Sequence, residues 1–178
     1  KDELEDLSFE IVFPKEFKKT KNLLDAELAS REESNKETQK SLTHILRTEG
    51  IKFEEVNGRV KRLYSLFRKL QKYDGDITKI HDFIALRIIT KSTSDCYAAL
   101  GIIHKHFQPV PGRIKDFIAN PKPNGYQSIH TTVFSKNGKT TEIQIRTDLM
   151  HEEAERGVAA HWFYAEEGKP EAAGRAQA

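Results

Sequence analysis

The sequence has 178 residues, enough for one core of good size and short of two. Hydrophobic residues make up 37% and charged residues 31%, with Gly at 10 and Pro at 6, a composition that excludes the disordered and fibrous classes. Lys+Arg 29 against Asp+Glu 27 leaves a net +2, so the total charge names no polyanionic partner and the placement of the charges has to decide.

No stretch reaches the roughly 20 apolar residues that cross a bilayer, and the N-terminal segment is charged throughout, unlike a signal peptide. A lone Cys96 can form no internal disulfide. The expectation is a cytoplasmic protein with no membrane partner. Lys1 in place of a methionine and the small-residue stretch 168–178 point to a segment of a longer protein.

Along the chain, Phe9, Ile11, Val12 and Phe13 form a short apolar patch. Pro14 suits the start of a helix with Phe17, Leu24 and Leu28 on one stripe. Residues 31–40 are almost all polar, the pattern resumes with Leu42, Ile45 and Leu46, and Gly50 supplies a C-cap. Residues 51–56 alternate loosely as a strand that Asn57-Gly58 should end. Over residues 59–72, Val60, Leu63, Tyr64, Phe67 and Leu70 fall at helical spacing, opposite a basic face. Residues 83–90 are β-branched and aliphatic and read as a buried strand, with Asp82 at its leading edge. A helix capped by Thr93 or Ser94 follows to about Phe107. Residues 108–126 carry Pro109, Pro111, Gly112, Pro121, Pro123 and Gly125, which predicts a long ordered loop interrupted near Phe117. Residues 128–134 and 140–146 read as a hairpin turning at Asn137-Gly138. Asp148 can cap a last helix to about Glu166, with Met150, Ala154, Val158 and Trp162 on one face.

Three constellations could carry chemistry. Arg59, Lys61, Arg62, Arg68, Lys69 and Lys72 crowd one helix with Ser65 and no acidic partner, which suits a phosphate site as well as a solvated face. Arg113-Ile114-Lys115-Asp116 and the run from Lys122 through Asn124, Tyr126 and His130 put cations, an amide and an aromatic ring on one stiffened loop. That is equipment for holding a nucleotide, or a polar turn with Tyr126 plugging the core. Third come the carboxylates Asp82 and Glu142. Glu142, Gln144 and Arg146 alternate with Thr141, Ile143 and Ile145, so the polar set shares one face. A three-residue hairpin loop over 136–138 sets Thr132 opposite Glu142 and His130 opposite Gln144, and is preferred because it sorts the faces. Two such carboxylates beside phosphate sites would hold Mg²⁺; each alone reads equally as a surface acid.

Several motifs are set aside. Gly138-Lys139-Thr140 lacks the earlier glycine of a phosphate-binding loop, and His151-Glu152 lacks the second histidine of a zinc protease. His81-Asp82 has no further ligands nearby, and His104 and His106 point apart on a helix.

The run 111–130, then Glu142-Ile143-Gln144-Ile145-Arg146-Thr147, then Met150-His151 through Ala159-Ala160-His161-Trp162, resembles the synthetase domain of the RelA/SpoT family, makers of guanosine tetra- and pentaphosphate. The likeness extends back through Gly58-Arg59 and residues 82–87. Arg113-Ile114-Lys115-Asp116 is similar to the form in bifunctional synthetase-hydrolase members. The resemblance implies an α/β (α+β) fold, a mixed sheet of about five strands flanked by helices, related to polymerase-β-like nucleotidyltransferases. It also implies transfer of pyrophosphate from ATP to the 3′-hydroxyl of GDP or GTP, with Mg²⁺ and in the stringent response. Residue by residue, Arg59 would stack on adenine, and Lys61, Ser65, Lys69 and Arg87 would meet ATP phosphates. Asp82 and Glu142 would hold Mg²⁺, with Glu142 activating the attacking hydroxyl. Tyr126 would stack on guanine, Asn124 and His130 would position that nucleotide, and Arg113, Lys115 and Lys122 would meet its phosphates. The family's second adenine-stacking arginine finds no counterpart in residues 91–95.

The resemblance divides the chain into a helical linker region over 1–50, packing on the core, a catalytic domain over 51–166, and a tail over 167–178 that is disordered or foreign to the domain. It implies a hydrolase domain before this segment, regulatory domains after it, and the ribosome as a partner of the whole. The competing expectation is a non-catalytic basic domain that binds RNA or nucleotides for regulation, or a synthetase fold that has lost activity. The strand-borne Asp82 and Glu142 separate the synthetase reading from the RNA-binding one, because an RNA surface has no use for two acids beside its phosphate contacts.

Overall fold

A computed structural model describes residues 2–60, 62–80, 84–135 and 138–156. Two helices open the chain, α1 (Asp2–Val12) and α2 (Pro14–Thr48). Pro14 starts α2, where its missing N–H costs nothing. The polar stretch that interrupts the apolar stripe does not interrupt the helix. There Ser34 and Thr38 face inward, and the Thr38 hydroxyl donates to the Ser34 carbonyl at 2.7 Å. Gly50, at φ +75°, then turns the chain out of the helix.

Five strands follow: β1 (Phe53–Val60), β2 (Ile84–Thr90), β3 (Lys115–Asp116), β4 (Ile129–Phe134) and β5 (Thr140–Thr147). They form one mixed sheet in the order β1-β2-β5-β4-β3. Only β2 and β5 run parallel. Between β1 and β2 lie α3 (Leu63–Lys72) and a 3-10 turn (Ile77–Lys79); α4 (Thr93–His106) follows β2, and α5 (Asp148–Arg156) follows β5.

One face of the sheet is the core. Val56, Leu86, Ile88, Ile129, Val133, Ile143 and Ile145 pack there against Leu42 and Leu46 of α2 and Cys96, Ala99 and Ile103 of α4. A smaller cluster joins Leu24 of α2 to Leu66 and Leu70 of α3. Phe9 of α1 stacks on Phe67 at 4.7 Å between ring centres and meets Tyr64 at 5.5 Å, tying α1 to α3.

Two expectations need correction. Asn57-Gly58 does not end the first strand; β1 runs on to Val60, with Asn57 opposite Arg87 and Gly58 opposite Leu86. As an edge strand, β1 tolerates a weak β-former when its ladder to β2 is intact. Arg59 therefore stands on a strand, and the basic helix begins only at Leu63. The cap of α4 is Ser92, whose hydroxyl accepts from the Asp95 N–H at 3.1 Å, rather than Thr93 or Ser94. The hairpin has the register that sorts the faces: Thr132 faces Glu142, and His130 faces Gln144. Ser135 N–H donates to Lys139 O at 2.8 Å, and Gly138 takes φ +76°. Lys61, Asp82 and the stretch of the last helix beyond 156 lie outside the described residues.

Candidate nucleotide site on the polar face of the sheet

Because side chains alternate along a strand, the face opposite the core collects Arg59 from β1, Ala85 and Arg87 from β2, Glu142, Gln144 and Arg146 from β5, and His130 from β4. Register aligns them in two rows. Asn57, Arg87, Gln144, His130 and Lys115 are successive partners across all five strands, and Arg59, Ala85, Glu142 and Thr132 form the adjacent row.

The side chains in these rows are linked. Arg59 Nη1 donates to Gln144 Oε1 at 3.2 Å, and Gln144 Nε2 donates to Glu142 Oε1 at 2.8 Å. The same Glu142 oxygen lies 3.4 Å from His130 Nδ1. His130 Nε2 is 2.9 Å from the Tyr126 hydroxyl. Gln144 is buried, and its amide can satisfy a guanidinium and a carboxylate at once only in this orientation. The chain of contacts thus runs from a cation on the edge strand to an aromatic ring on the loop, with Glu142 near its middle.

Tyr126 is built into an aromatic corner. Its ring meets Phe117 and His130 edge-on, and Lys122 Nζ lies 4.9 Å from its centre and 4.6 Å from that of Phe117. Asn124 Oδ1 accepts from the Tyr126 N–H at 3.3 Å, so Asn124 shapes the turn that presents the ring. Asp116 Oδ1 accepts from the N–H groups of Ile118 and Ala119, both at 2.9 Å, which fixes the loop just after Lys115. Arg113, Lys115 and Lys122 are exposed, while Ser65 and Lys69 are half-buried one turn apart on α3.

Arg87 stands beside Gln144 but turns toward α5. Its Nη2 is 3.2 Å from Glu155 Oε1, which also accepts from Arg146 Nη2 at 3.0 Å. Burial, with Arg146 and Arg59 nearby, pushes the Arg87 guanidinium down to about 10. Burial works to raise the Glu155 carboxyl, but Arg87 and Arg146 outweigh it and hold it below the usual range. Arg146 Nη2 is also 2.6 Å from His151 Nδ1. A guanidinium has nothing but donors, so Nδ1 accepts and His151 is neutral, in keeping with burial and the two arginines lowering its pKa.

The structure joins Arg59, Glu142, His130, Tyr126 and Lys122 by direct contacts or single bridges. The linking Gln144 and the Arg146–His151–Glu155 group are not evident as site residues from sequence. The alternation Glu142-Gln144-Arg146 is their one signal, and the motif around His151 speaks only against a zinc protease.

Among the described residues no group of three or more acidic, histidine or cysteine side chains is arranged to hold a metal. One partly buried carboxylate with substrate phosphates nevertheless suits Mg²⁺, which keeps waters and takes few protein oxygens. No described helix is long and apolar enough to cross a membrane.

The five-stranded sheet with helices packed on it is the fold of the alarmone synthetases. Small alarmone synthetase 2 from Bacillus subtilis superposes with a TM-score of 0.61 at 27% identity, covering 83% of this chain and 84% of that one. Small alarmone synthetase 1 from the same organism, bound to its product pppGpp, gives 0.62 at 24% identity, with 84% of each chain covered. The chain belongs to the RelA/SpoT family: residues 58–169 match the region found in RelA / SpoT proteins. It is 49% identical over 164 residues to a GTP pyrophosphokinase of Escherichia coli K12, covering 92% of this chain. It is 46% identical over 169 residues to a probable guanosine-3′,5′-bis(diphosphate) 3′-pyrophosphohydrolase of Synechocystis, covering 95%. The chain spans 22% of the length of each of these curated relatives.

Proposed function

We propose that this chain is a synthetase domain that transfers pyrophosphate from ATP to the 3′-hydroxyl of GDP or GTP. The 3′-oxygen attacks the β-phosphorus, the bond from that phosphorus to the oxygen bridging to the α-phosphate breaks, and AMP leaves with that oxygen. The observation that carries the reading is Glu142, partly buried in mid-sheet and held between Gln144 and His130. A carboxylate so placed can take the proton of the attacking hydroxyl. In-line attack of one nucleotide on another otherwise needs alignment and charge neutralisation more than covalent help.

On this reading Arg59 stacks on adenine, and Lys61, Ser65, Lys69 and Arg87 meet the ATP phosphates. Tyr126 stacks on guanine, where Asn124 and His130 position the nucleotide and Arg113, Lys115 and Lys122 meet its phosphates. Asp82 and Glu142 would hold Mg²⁺, which when bound neutralises charge on the phosphates. The catalytic unit covers 51–166, residues 1–50 form a helical linker region, and 167–178 are a tail. Relatives several times longer, one of them named a pyrophosphohydrolase, are in keeping with a hydrolase domain elsewhere in the whole protein. The same reading places that domain before this segment and regulatory domains after it, in a cytoplasmic enzyme with the ribosome as a partner.

The test is incubation with ATP, GDP and Mg²⁺ followed by chromatography. Guanosine tetraphosphate and AMP should appear in equal amounts. Glu142→Gln should abolish transfer while nucleotide binding persists. Measurable binding of both nucleotides with no product would refute the reading.

A further inference from the structure

Lys115 and Asp116 of β3 serve opposite faces of the sheet. Lys115 pairs with His130 in the row that carries Gln144, on the polar face, whereas Asp116 pairs with Ile129, which belongs to the core on the face covered by α4. Asp116 therefore stands away from the nucleotide site, and both its oxygens are taken there. Oδ1 accepts from the N–H groups of Ile118 and Ala119, both at 2.9 Å, and Oδ2 accepts from the hydroxyl of Tyr97 on α4 at 3.0 Å. The Tyr97 ring is 41% exposed, more than a residue recruited for the core, so its hydroxyl is the part with an evident partner. Other hydrogen bonds of the loop over 117–128 close it on itself. Phe117 N–H donates to Ser128 O at 2.9 Å, Gln127 Nε2 to Ile118 O at 3.3 Å, and Gly125 N–H to Lys122 O at 2.8 Å.

We infer that Tyr97 is a positioning residue for the loop that carries Lys122, Asn124 and Tyr126, acting through Asp116 from the opposite face of the sheet. Bonds within a loop fix its shape but not its placement. The Tyr97–Asp116 bond ties the first turn of this loop to a helix that is itself packed on the sheet by Cys96, Ala99 and Ile103. That turn begins with Phe117, whose ring meets Tyr126 edge-on at 6.2 Å and His130 at 5.4 Å, with Lys122 Nζ 4.6 Å from its centre. A shift of the turn moves Phe117, and with it the ring and the cation assigned to the guanine nucleotide. A phenol donating to a carboxylate makes a charge-assisted bond, stronger than one between neutral groups. Its removal leaves the two Oδ1 bonds in place and frees the turn from α4. Arg59 stands on the opposite edge strand, so the effect should fall on one nucleotide only. The inference rests on the proposed reading for the identity of that ligand as a guanine nucleotide.

The experiment compares the parent chain with Tyr97→Phe, Asp116→Ala and the double variant, by calorimetric titration with GDP and with ATP separately and by amide hydrogen exchange without nucleotide. Phenylalanine keeps the ring and removes only the hydroxyl. Tyr97→Phe should bind GDP roughly three- to tenfold more weakly and ATP within about twofold of the parent. The N–H groups of Ile118 and Ala119 should exchange several-fold faster in that variant. In the Asp116→Ala background the same substitution should change nothing further, because Tyr97 then has no carboxylate to work through. A merely structural tyrosine would weaken both nucleotides alike or lower the unfolding temperature alone. Parent-like GDP affinity or parent-like exchange in Tyr97→Phe, an equal loss for ATP, or the full loss repeated in the Asp116→Ala background would overturn the inference. Should Asp116→Ala fail to fold by circular dichroism, Tyr97→Phe alone decides. A parent that binds ATP but not GDP would refute the guanine assignment, and the exchange arm would still decide whether Tyr97 holds the loop.

Discussion

Gln144→Leu tests the link between the two halves of the site. The substitution keeps the side chain's approximate volume at a buried position and deletes two bonds at once, the donation to Glu142 at 2.8 Å and the acceptance from Arg59 at 3.2 Å. Glu142 would keep its other contacts, among them the approach to His130 Nδ1 at 3.4 Å, but would lose the 2.8 Å bond that Gln144 donates, the shorter of these two. A hydrogen bond to a charged group contributes about 1.5–3 kcal/mol. If its loss falls on the transition state, kcat should drop by roughly ten- to a hundredfold, since each 1.36 kcal/mol or so is a factor of ten. The KM for GDP should move little, because Gln144 touches no group assigned to that nucleotide except through Glu142. Steady-state kinetics with ATP and GDP give both numbers, and thermal unfolding separates a loosened fold from a loosened site. A kcat within twofold of the parent, or a change confined to KM, would show that the orientation of Glu142 does not depend on Gln144.

Tyr126→Ala should weaken guanine-nucleotide binding by about 1–3 kcal/mol if the ring stacks on the base; Tyr126→Phe, which removes only the contact to His130 Nε2, should keep most of that affinity, and equal losses in both would deny stacking. Leu46→Ala, at a fully buried position where α2 meets the sheet, should cost about 2–5 kcal/mol in urea unfolding without changing the KM of either nucleotide. His104 and His151 both have pKa values lowered by burial, with Arg146 and Arg87 adding to the effect at His151. The unfolded chain therefore takes up protons near pH 6.5 before the folded one does, and stability should fall as pH drops from about 7 through that point until the lower folded values are passed. Replacing both histidines with glutamine should flatten this limb in calorimetric scans from pH 8 to 5, and an equal slope in parent and variant would contradict it.

Period-two patterning makes the core-facing and site-facing residues of β5 readable from the sequence alone, and the same alternation selects the hairpin register. That is because a one-residue slip would turn Glu142 and Gln144 into the apolar interior. Patterning fails at β1 for the opposite reason. Asn57 and Gly58 are poor strand residues, and what keeps them extended is their pairing with Arg87 and Leu86, which are distant in sequence. The continuous α2 is also hidden, because Ser34 and Thr38 are buried as polar residues and leave no apolar stripe. The Arg87–Glu155–Arg146 group is illegible on similar grounds. It joins two strands to a helix, and no spacing along the chain announces that meeting.

On the proposed assignment, where the strands lie would let a carboxylate at position 142 serve two nucleotides. Adjacent strands are about 4.8 Å apart, so β1 and β3, at opposite edges, are separated by roughly 19 Å. On the proposed assignment the adenine-side cation Arg59 stands on one edge, and Lys115 with the loop presenting Tyr126 on the other. A span of that size accommodates two nucleotides meeting through their reacting groups, and β5 is the middle strand. Ala85, the neighbour of Glu142 on the Arg59 side, is a small residue, so the sheet surface there stays low enough to admit phosphates. Neighbours on the other side are Thr132 and, one row along, His130, which can meet a ribose hydroxyl with polar groups. On that assignment the asymmetry across one carboxylate, small and open toward the donor, polar and hydrogen-bonding toward the acceptor, would suit in-line transfer between two bound nucleotides. It follows from placing Glu142 between β2 and β4 in this register.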